Sequence, residues 1–459
     1  MTEQGPLFQK VLIANRGEIA VRIARTLRGM GIASVAVYSV ADAGAAHVAA
    51  ADEAFHLGPA LPAQSYLNQD RLFEIAREAG VDAIHPGYGF LAENAGFARR
   101  CAEEGVIFIG PPPDAIEAMG NKIAARQSAK AAGMPIVPGT EEPLADAAAI
   151  ASVADALGYP VAIKAAAGGG GYGMRVVAGA EEIEATLDGV RRDAGRAFGD
   201  TTVYVETFFS PAPRHIELQV LGDRFGNVVH LGERECSLQR RFQKIVEETP
   251  SPAVSPELRE RMGEAAVALA RQMGYQSAGT IECLVTADGD FYFLEMNTRL
   301  QVEHPVTEEV TGVDLVREMV RIAAGLALSV PERGIAPRGH AIEARLYAED
   351  PSRNFMPSPG TITRLDMPAL PNLRVDSGAQ TGTQVTVYYD PLIAKLIAWG
   401  EDREAAIETM RAALDGTVIE GVKTNIPFLA RIFRSDDFRQ GRIHTRYVDD
   451  HLDEIMTSD

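Results

Sequence analysis

Val11-Leu12-Ile13-Ala14 is apolar at every position, the pattern of a strand buried on both faces, and Asn15-Arg16-Gly17 turns the chain out of it. From Glu18 to Arg28 the period becomes helical. Ile19, Ala20, Ile23, Ala24 and Leu27 share one face, and Gly29 and Gly31 end the run. A strand is predicted over 34–38, a helix over 71–79, and buried strands at Ala83-Ile84 and 106–109. This alternation predicts a doubly wound α/β start. No G-x-G-x-x-G follows the first strand, so the dinucleotide fingerprint is missing. Pro111-Pro112-Pro113 marks a boundary, and the spacing then predicts a helix over 122–132 ended by Gly133-Met134-Pro135. Strands over 159–164 and 174–177 enclose a glycine loop. A long helix is predicted from Ser255 (N-cap) and Pro256 to Met273, stopped by Gly274. Beyond about residue 331 the pattern predicts short strands with one amphipathic helix near 404–414. No repeat of period 20–50 and no low-complexity segment is present.

Composition narrows the function classes. A chain of 459 residues exceeds one hydrophobic core, so two to four domains are expected. With 46% apolar and 23% charged residues it is an ordinary globular composition rather than a disordered one. Forty-four Lys and Arg against 63 Asp and Glu give a net charge of −19, which opposes nucleic acid and anionic membranes as partners but permits a local basic pocket. No apolar stretch approaches the ~18 residues of a membrane-spanning helix, and the opening MTEQGPLFQK lacks the regions of a signal peptide. Cys101, Cys236 and Cys283 are too few and too far apart for a disulfide framework or a Cys-rich zinc site, so a cytoplasmic location is expected.

Two loops stand out. His85-Pro86-Gly87-Tyr88-Gly89-Phe90 follows a strand end, where ligand crevices form, although His85 and Tyr88 also suit plain packing. Gly168-Gly169-Gly170-Gly171-Tyr172-Gly173 joins two strands, with Lys164 near its base. It is no Walker loop, because the lysine precedes the glycines and a strand follows them. Glycines let backbone amides approach an anion, and four in succession are costly in backbone entropy, so a phosphate-covering flap is favoured over a floppy turn.

The segment 280–296 carries paired acids. Asp288-Gly289 signals a two-residue hairpin loop. Paired numbers then sum to 577, which sets Glu282 opposite Glu295 with Cβ atoms about 5 Å apart. Two such carboxylates repel by roughly 4 kcal/mol at 4 Å and an effective dielectric near 20. A shared proton, a basic residue or a divalent cation would compensate. Glu295, Asn297, Arg299, Gln301 and Glu303 alternate, so an extended chain puts them on one face, as on a solvated strand or in a polar site. Glu282, Glu295 and Asn297 form an oxygen set suited to Mg²⁺, and with a phosphate-covering loop they imply a nucleoside triphosphate. Arg299 is placed to grip a second anion and Glu303 to act as a general base, with an ion pair to Arg299 or His304 as the plainer role for Glu303.

Arg234, Arg240, Arg241 and Lys244 concentrate four cations in eleven residues, either a solvated charge run or ligands for an anion. With ANRGEIA (14–20), HPGYGFLAEN (85–94), the glycine loop, RHIELQV (214–220), ERECSLQRRFQK (233–244), EMNTRLQVEHPVTE (295–308) and HAIEARLYAED (340–350), the chain resembles biotin carboxylase from about residue 8 to 450. That family is the biotin-carboxylating component of biotin-dependent carboxylases such as acetyl-CoA carboxylase. The resemblance implies an ATP-grasp fold, of class α/β and α+β. Its expected parts are an N-terminal doubly wound α/β domain (1–115), a helical linker (116–139), a mobile lid domain with the glycine loop (140–207) and a mixed C-terminal domain (208–459).

The resemblance also implies the reaction: MgATP (or MnATP) and bicarbonate give carboxyphosphate, which carboxylates N1′ of biotin. It places Lys122, Lys164, Gly170 and Gly171 on the phosphates, Glu206 with the backbone of Thr207, Phe208 and Phe209 on adenine, and His215 on the nucleotide. Glu282, Glu295 and Asn297 then hold the metal. Lys244, Arg299, Gln301 and the Val302 amide surround bicarbonate, Glu303 deprotonates it, and Arg345 holds carboxyphosphate and stabilises the biotin enolate. Two positions depart from the family pattern: Tyr172 replaces a basic residue, and Phe242, near the nucleotide, replaces His or another polar residue. Both bear on ATP affinity and rate. Met-Lys, the biotinylation dipeptide, does not occur. The expected partners are therefore a separate biotin carboxyl carrier protein and a carboxyltransferase; the resemblance implies in addition a homodimer that serves an acyl-CoA carboxylase, with acetyl-CoA or propionyl-CoA as the expected acceptor. Two other readings use the same ATP residues: an ATP-grasp carboxylate–amine ligase, and a catalytically weak nucleotide-binding protein.

Overall fold

The computed structural model describes residues 7–167, 173–332 and 334–457. The chain opens with five parallel strands, β1 (Lys10–Ile13), β2 (Ala33–Ser39), β3 (Glu53–Gly58), β4 (Ala83–His85) and β5 (Ile107–Phe108), in the order β3-β2-β1-β4-β5. The unbroken apolar run of β1 is explained by burial on both faces. Leu12 packs with Leu72, Phe73 and Phe97, whereas Val11 and Ile13 pack with Ile19, Ile23 and Leu27 of the helix Gly17–Gly29. The second core continues into Leu315, Val316 and Met319, so this helix binds the first domain to the rest.

A three-stranded sheet, β7 (Met174–Val177), β6 (Val161–Ala165), β8 (Val203–Thr207), carries the helices Ala147–Leu157 and Ile183–Phe198 on a core of its own, including Ile150, Val161, Ile163, Leu187 and Val205. β6 and β7 pair antiparallel on either side of the glycine loop. Gly168 to Tyr172, and with them Gly170 and Gly171, lie outside the described residues.

The third sheet has eight antiparallel strands. They run β13 (Phe291–Asn297), β12 (Ser277–Val285), β9 (Arg214–Gly222), β10 (Val228–Arg240), β11 (Gln243–Thr249), β14 (His340–Tyr347), then Leu392–Gly400 and Leu373–Ser377. The last third is thus richer than its sequence pattern predicts. Two long strands complete this sheet, and the helices Ile426–Arg434 and Tyr447–Thr457 accompany the predicted one at Arg403–Gly416. Ile426–Arg434, nine residues with a proline in its first turn, buries Phe428, Leu429, Ile432 and Phe433, whose i, i+1, i+4, i+5 spacing puts them on one helical face.

The β12–β13 hairpin corrects the register argument. Thr286 and Asp290 close a three-residue loop, with Gly289 at φ +82°. Pairs near the turn therefore sum to 576, as in Cys283 with Phe293. A bulge at Leu294 then adds one residue to β13, and Glu282 stands opposite Glu295 after all.

Candidate active site

A cavity of about 1160 Å³ lies between the three sheets. Lys122, Lys164, Glu206, Thr207, Phe208, Phe209, His215, Phe242, Lys244, Glu282, Glu295, Asn297, Arg299, Gln301, Val302 and Arg345 all line it. Glu303 sits behind the wall, with no exposed surface. The HPGYGF loop plays both roles considered for it. Tyr88, Gly89 and Phe90 line the cavity, while His85 is buried and its Nδ1 accepts from Gly87 N at 3.0 Å.

At the end of β8 in the three-stranded sheet, Glu206 is fixed by two cations. Lys164 Nζ donates to Oε1 at 2.6 Å, and Arg126 Nη1 to Oε2 at 3.2 Å. Arg126, spaced i, i+4 from Lys122 on the helix Lys122–Ala131, also donates to Val137 O at 2.7 Å. Phe209 stacks on Tyr292 with ring centroids 5.2 Å apart. Phe242, at the β10–β11 turn, is 55% exposed with φ +65° and borders the cavity from its rim.

On the large sheet the facing acids are compensated separately. Glu295 accepts from Lys122 Nζ at 2.8 Å. Glu282 Oε1 accepts from Lys244 Nζ at 2.8 Å, Asn297 Nδ2 at 2.9 Å and Gln301 Nε2 at 3.1 Å, while His215 Nε2 lies 3.1 Å from Oε2. Burial alone would raise the pKa of Glu282, but Lys244 and His215 outweigh it and hold the carboxyl well below the ordinary carboxylate range. Glu282, Glu295 and Asn297 offer carboxylate and amide oxygens at one wall, a donor set that fits Mg²⁺ or Mn²⁺. Asn297 turns its oxygen to Arg299 Nη2, 2.7 Å away. Two tighter groups, His215–Glu217–Glu282 and Glu217–Cys236–Glu303, are already neutralised by Arg234, Lys244 and Arg345.

The row from Glu295 to Glu303 is not one extended strand. β13 ends at Asn297, the chain then loops, and Glu303 caps the helix His304–Thr311 at φ −81°, ψ 10°. The loop nevertheless holds its polar groups together: Arg299 donates to Asn297 Oδ1, to Gln301 Oε1 at 2.9 Å and, through Nε, to Glu93 at 2.9 Å. Glu303 pairs with neither Arg299 nor His304. It accepts from Lys244 Nζ at 2.7 Å and Arg345 Nη2 at 2.9 Å. Burial would raise its pKa, and Lys244, Arg345 and Arg234 more than reverse this, so Glu303 is held ionised. Nor is 234–244 a solvated run: Arg234, Arg240 and Lys244 are buried or nearly so, and only Arg241 reaches solvent.

Sequence reasoning did not single out several partners of these groups. Glu93 lies inside the HPGYGFLAEN motif and Glu217 inside RHIELQV, where neither stands out from its neighbours. Lys395 is a lone cation in the apolar run Leu392–Trp399, which was the available signal. It is fully buried, 3.1 Å from Glu18, and its Nζ donates to Val302 O at 2.7 Å, holding the carbonyl end of the residue whose amide is expected at bicarbonate.

Three family models cover this architecture in order: "Biotin carboxylase, N-terminal domain" over residues 7–116, "Carbamoyl-phosphate synthase L chain, ATP binding domain" over 121–330 and "Biotin carboxylase C-terminal domain" over 343–450. Biotin carboxylase 2 of Bacillus subtilis is 50% identical over 446 residues, 97% of this chain and 100% of that protein. The chain belongs to the biotin carboxylase family. Biotin carboxylase of Halalkalibacterium halodurans is 51% identical, covering 97% of this chain and 98% of that protein. Among solved structures, the biotin carboxylase domain dimer of Hydrogenobacter thermophilus 2-oxoglutarate carboxylase, in complex with MgADP, ADP and bicarbonate, superposes with a TM-score of 0.95 at 47% identity over 98% of this chain and 99% of that one. Biotin carboxylase of Campylobacter jejuni, in complex with β,γ-ATP, gives 0.94 at 45% identity over 97% and 99%. Biotin carboxylases are ATP-dependent ligases with an ATP-grasp fold, and the three-sheet architecture here is that fold.

Proposed function

We propose that this chain uses MgATP to activate bicarbonate as carboxyphosphate and carboxylates N1′ of biotin held on a separate carrier protein. The observation that carries the proposal is the convergence of Lys244 and Arg345 on Glu303, beside Glu282 and behind the wall that Arg299 and Gln301 line. Glu303 stands ionised and so can accept the bicarbonate proton, its basicity rising as the entering anion draws Lys244 and Arg345 toward itself, and the same cations then meet the negative charge that follows.

The residues divide the work. Lys122, Lys164 and the glycine loop with Gly170 and Gly171 take the phosphates. Glu206, fixed by Lys164 and Arg126, and the 207–209 backbone take adenine, with His215 beside the nucleotide. A divalent cation on Glu282, Glu295 and Asn297 would offset phosphate charge in phosphoryl transfer. Lys244, Arg299, Gln301 and Val302 orient bicarbonate, and Arg345 holds carboxyphosphate and the biotin enolate. All the cations here are already paired with protein carboxylates, so an entering anion exchanges partners rather than meeting bare charge. The parts expected at 1–115, 116–139, 140–207 and 208–459 then serve as base, linker, phosphate-covering lid and metal-and-bicarbonate platform.

The proposal extends to a homodimer in the cytoplasm, working with a biotin carboxyl carrier protein and a carboxyltransferase that selects an acyl-CoA acceptor, acetyl-CoA or propionyl-CoA. Among the described residues no helix is long and apolar enough to cross a membrane. The experiment is ADP release by the purified chain. Release that needs bicarbonate and rises with free biotin is expected; stimulation by an amino acid or peptide instead would identify a carboxylate–amine ligase.

A further inference from the structure

Glu217, Glu247, Glu303 and Glu343 lie in or beside the middle of the large sheet with no exposed surface. Glu217 and Glu303 accept from Arg234, Lys244 and Arg345. The other two have no such account. Glu247 on β11 and Glu343 on β14 stand directly opposite in the antiparallel register. No described residue donates a well-aligned hydrogen bond to any of their four carboxyl oxygens. Glu247 Oε1 lies 2.5 Å from Arg345 Nη2, the same nitrogen that donates to Glu303 Oε2 at 2.9 Å.

The charges around the pair are few. Among the described residues, Lys244 of β11, Arg345 of β14 and Lys395 of Leu392–Gly400 act on it as cations and Glu303 as a further carboxylate, Cys236 of β10 interacts electrostatically with Glu247, and the helix His304–Thr311 packs on both strands. Burial keeps the Cys236 thiol and the His304 ring neutral. Lys244 and Lys395 are already held by Glu217, Glu282, Glu303 and Glu18. Two ionised carboxylates in register, buried and with only the Arg345 guanidinium in contact with one of them, are strongly unfavourable.

We propose that Glu247 is the rear anchor of Arg345, a positioning residue for biotin carboxylation, and that a neutral Glu343 opposite it makes this anchoring possible. The inference rests on the role given to Arg345 above. When Glu303 takes the bicarbonate proton, Arg345 loses its ionised partner on that side, and ionised Glu247 keeps the guanidinium in place. Burial pushes both carboxyls up, Glu247 to about 7 and Glu343 well above the ordinary range, and Arg345 at 2.5 Å favours the ionised form of Glu247, so Glu247 is the member of the pair that ionises.

The test follows kcat for bicarbonate- and biotin-dependent ADP release from about pH 6 to 9, with bicarbonate saturating throughout, in wild type, Glu247→Gln and Glu343→Gln. Wild-type kcat should rise with pH through about 7. Glu247→Gln should match wild type at the acid end and fall at least about tenfold below it at the alkaline end, with KM for ATP within about twofold. Glu343→Gln, shaped like the protonated carboxyl, should keep the rise where it is. A Glu247→Gln loss of equal factor at every pH, or an unchanged wild-type rise in that variant, would overturn the anchor. Infrared difference spectra supply an arm independent of turnover. A buried protonated-carboxyl band persisting at about pH 8.5 and lost in Glu343→Gln supports the pair, and its absence from wild type overturns it. If wild type shows no bicarbonate-dependent turnover at any pH, the function fails first, while the infrared arm still reads the pair.

Discussion

Lys244 concentrates the logic of the site in one ammonium. Its three N–H bonds end on Glu217 at 2.6 Å, Glu303 at 2.7 Å and Glu282 at 2.8 Å, and these carboxylates hold its pKa well above the ordinary lysine value against the opposing effect of burial. It therefore links the metal-side acid to the base. Replacing Glu303 by Gln removes the proton acceptor but keeps the shape, and should lower bicarbonate-dependent turnover by about 10²-fold or more, with nucleotide affinity measured by calorimetry nearly unchanged. Arg234 has no exposed surface and pairs with Glu217 at 2.5 Å. Arg234→Met leaves Glu217 short of a partner and should cost about 3–5 kcal/mol, seen as an earlier denaturation midpoint. The pH dependence of stability has a definite sign. Glu282 and Glu303 are held below their ordinary value, so their contribution is present above about pH 4.3 and lost as pH falls through the depressed native values. Thermal melts in acid should show a shallower loss for Glu303→Gln than for wild type. The acids, amide and guanidinium of this site were legible as residue types in sequence. Their true partners were not, because Glu303 meets Lys244 and Arg345 across strands distant in the chain.

The hairpin β12–β13 shows how an element can be read correctly through two compensating errors. Asp-Gly signals a two-residue loop, and the chain forms a three-residue one; the bulge at Leu294 restores the pairing of Glu282 with Glu295. Nothing local in Phe291–Leu294 marks that bulge. The failure of the extended row after Asn297 has a simpler cause: Pro305, in the first turn of His304–Thr311, favours a helix start that a search for alternation overlooks. The HPGYGF loop depends on one glycine. Gly87 has φ +65°, and a Cβ there would lie 2.9 Å from Asn15 Nδ2, which donates at 2.7 Å to both Pro86 O and Tyr88 O. Gly87→Ala should destabilise by about 1–3 kcal/mol and lower kcat, checked by melting and by steady-state rates.

At the scale of the molecule, the small sheet β7-β6-β8 has its own core, and the cavity lies where it meets the other two sheets. A ligand bridging Lys164 and Glu206 to Lys122 and Glu295 ties these parts together. MgATP at a hundred times its dissociation constant should stabilise the chain by about 2.7 kcal/mol, and amide exchange should slow most in β6 and β8. The doubly wound start was legible from period alone, since a strand buried on both faces leaves an unbroken apolar run. The eight-stranded sheet was not, because its long strands alternate with charged residues that are buried rather than solvated, Glu217, Glu247, Glu343 and Lys395 among them. In the proposed reaction a bicarbonate oxygen accepts the phosphoryl group of ATP. Supplying ¹⁸O-labelled bicarbonate with unlabelled ATP and free biotin, and weighing the released phosphate by mass spectrometry, tests it directly. One labelled oxygen in each phosphate is the predicted result; phosphate without label would contradict it.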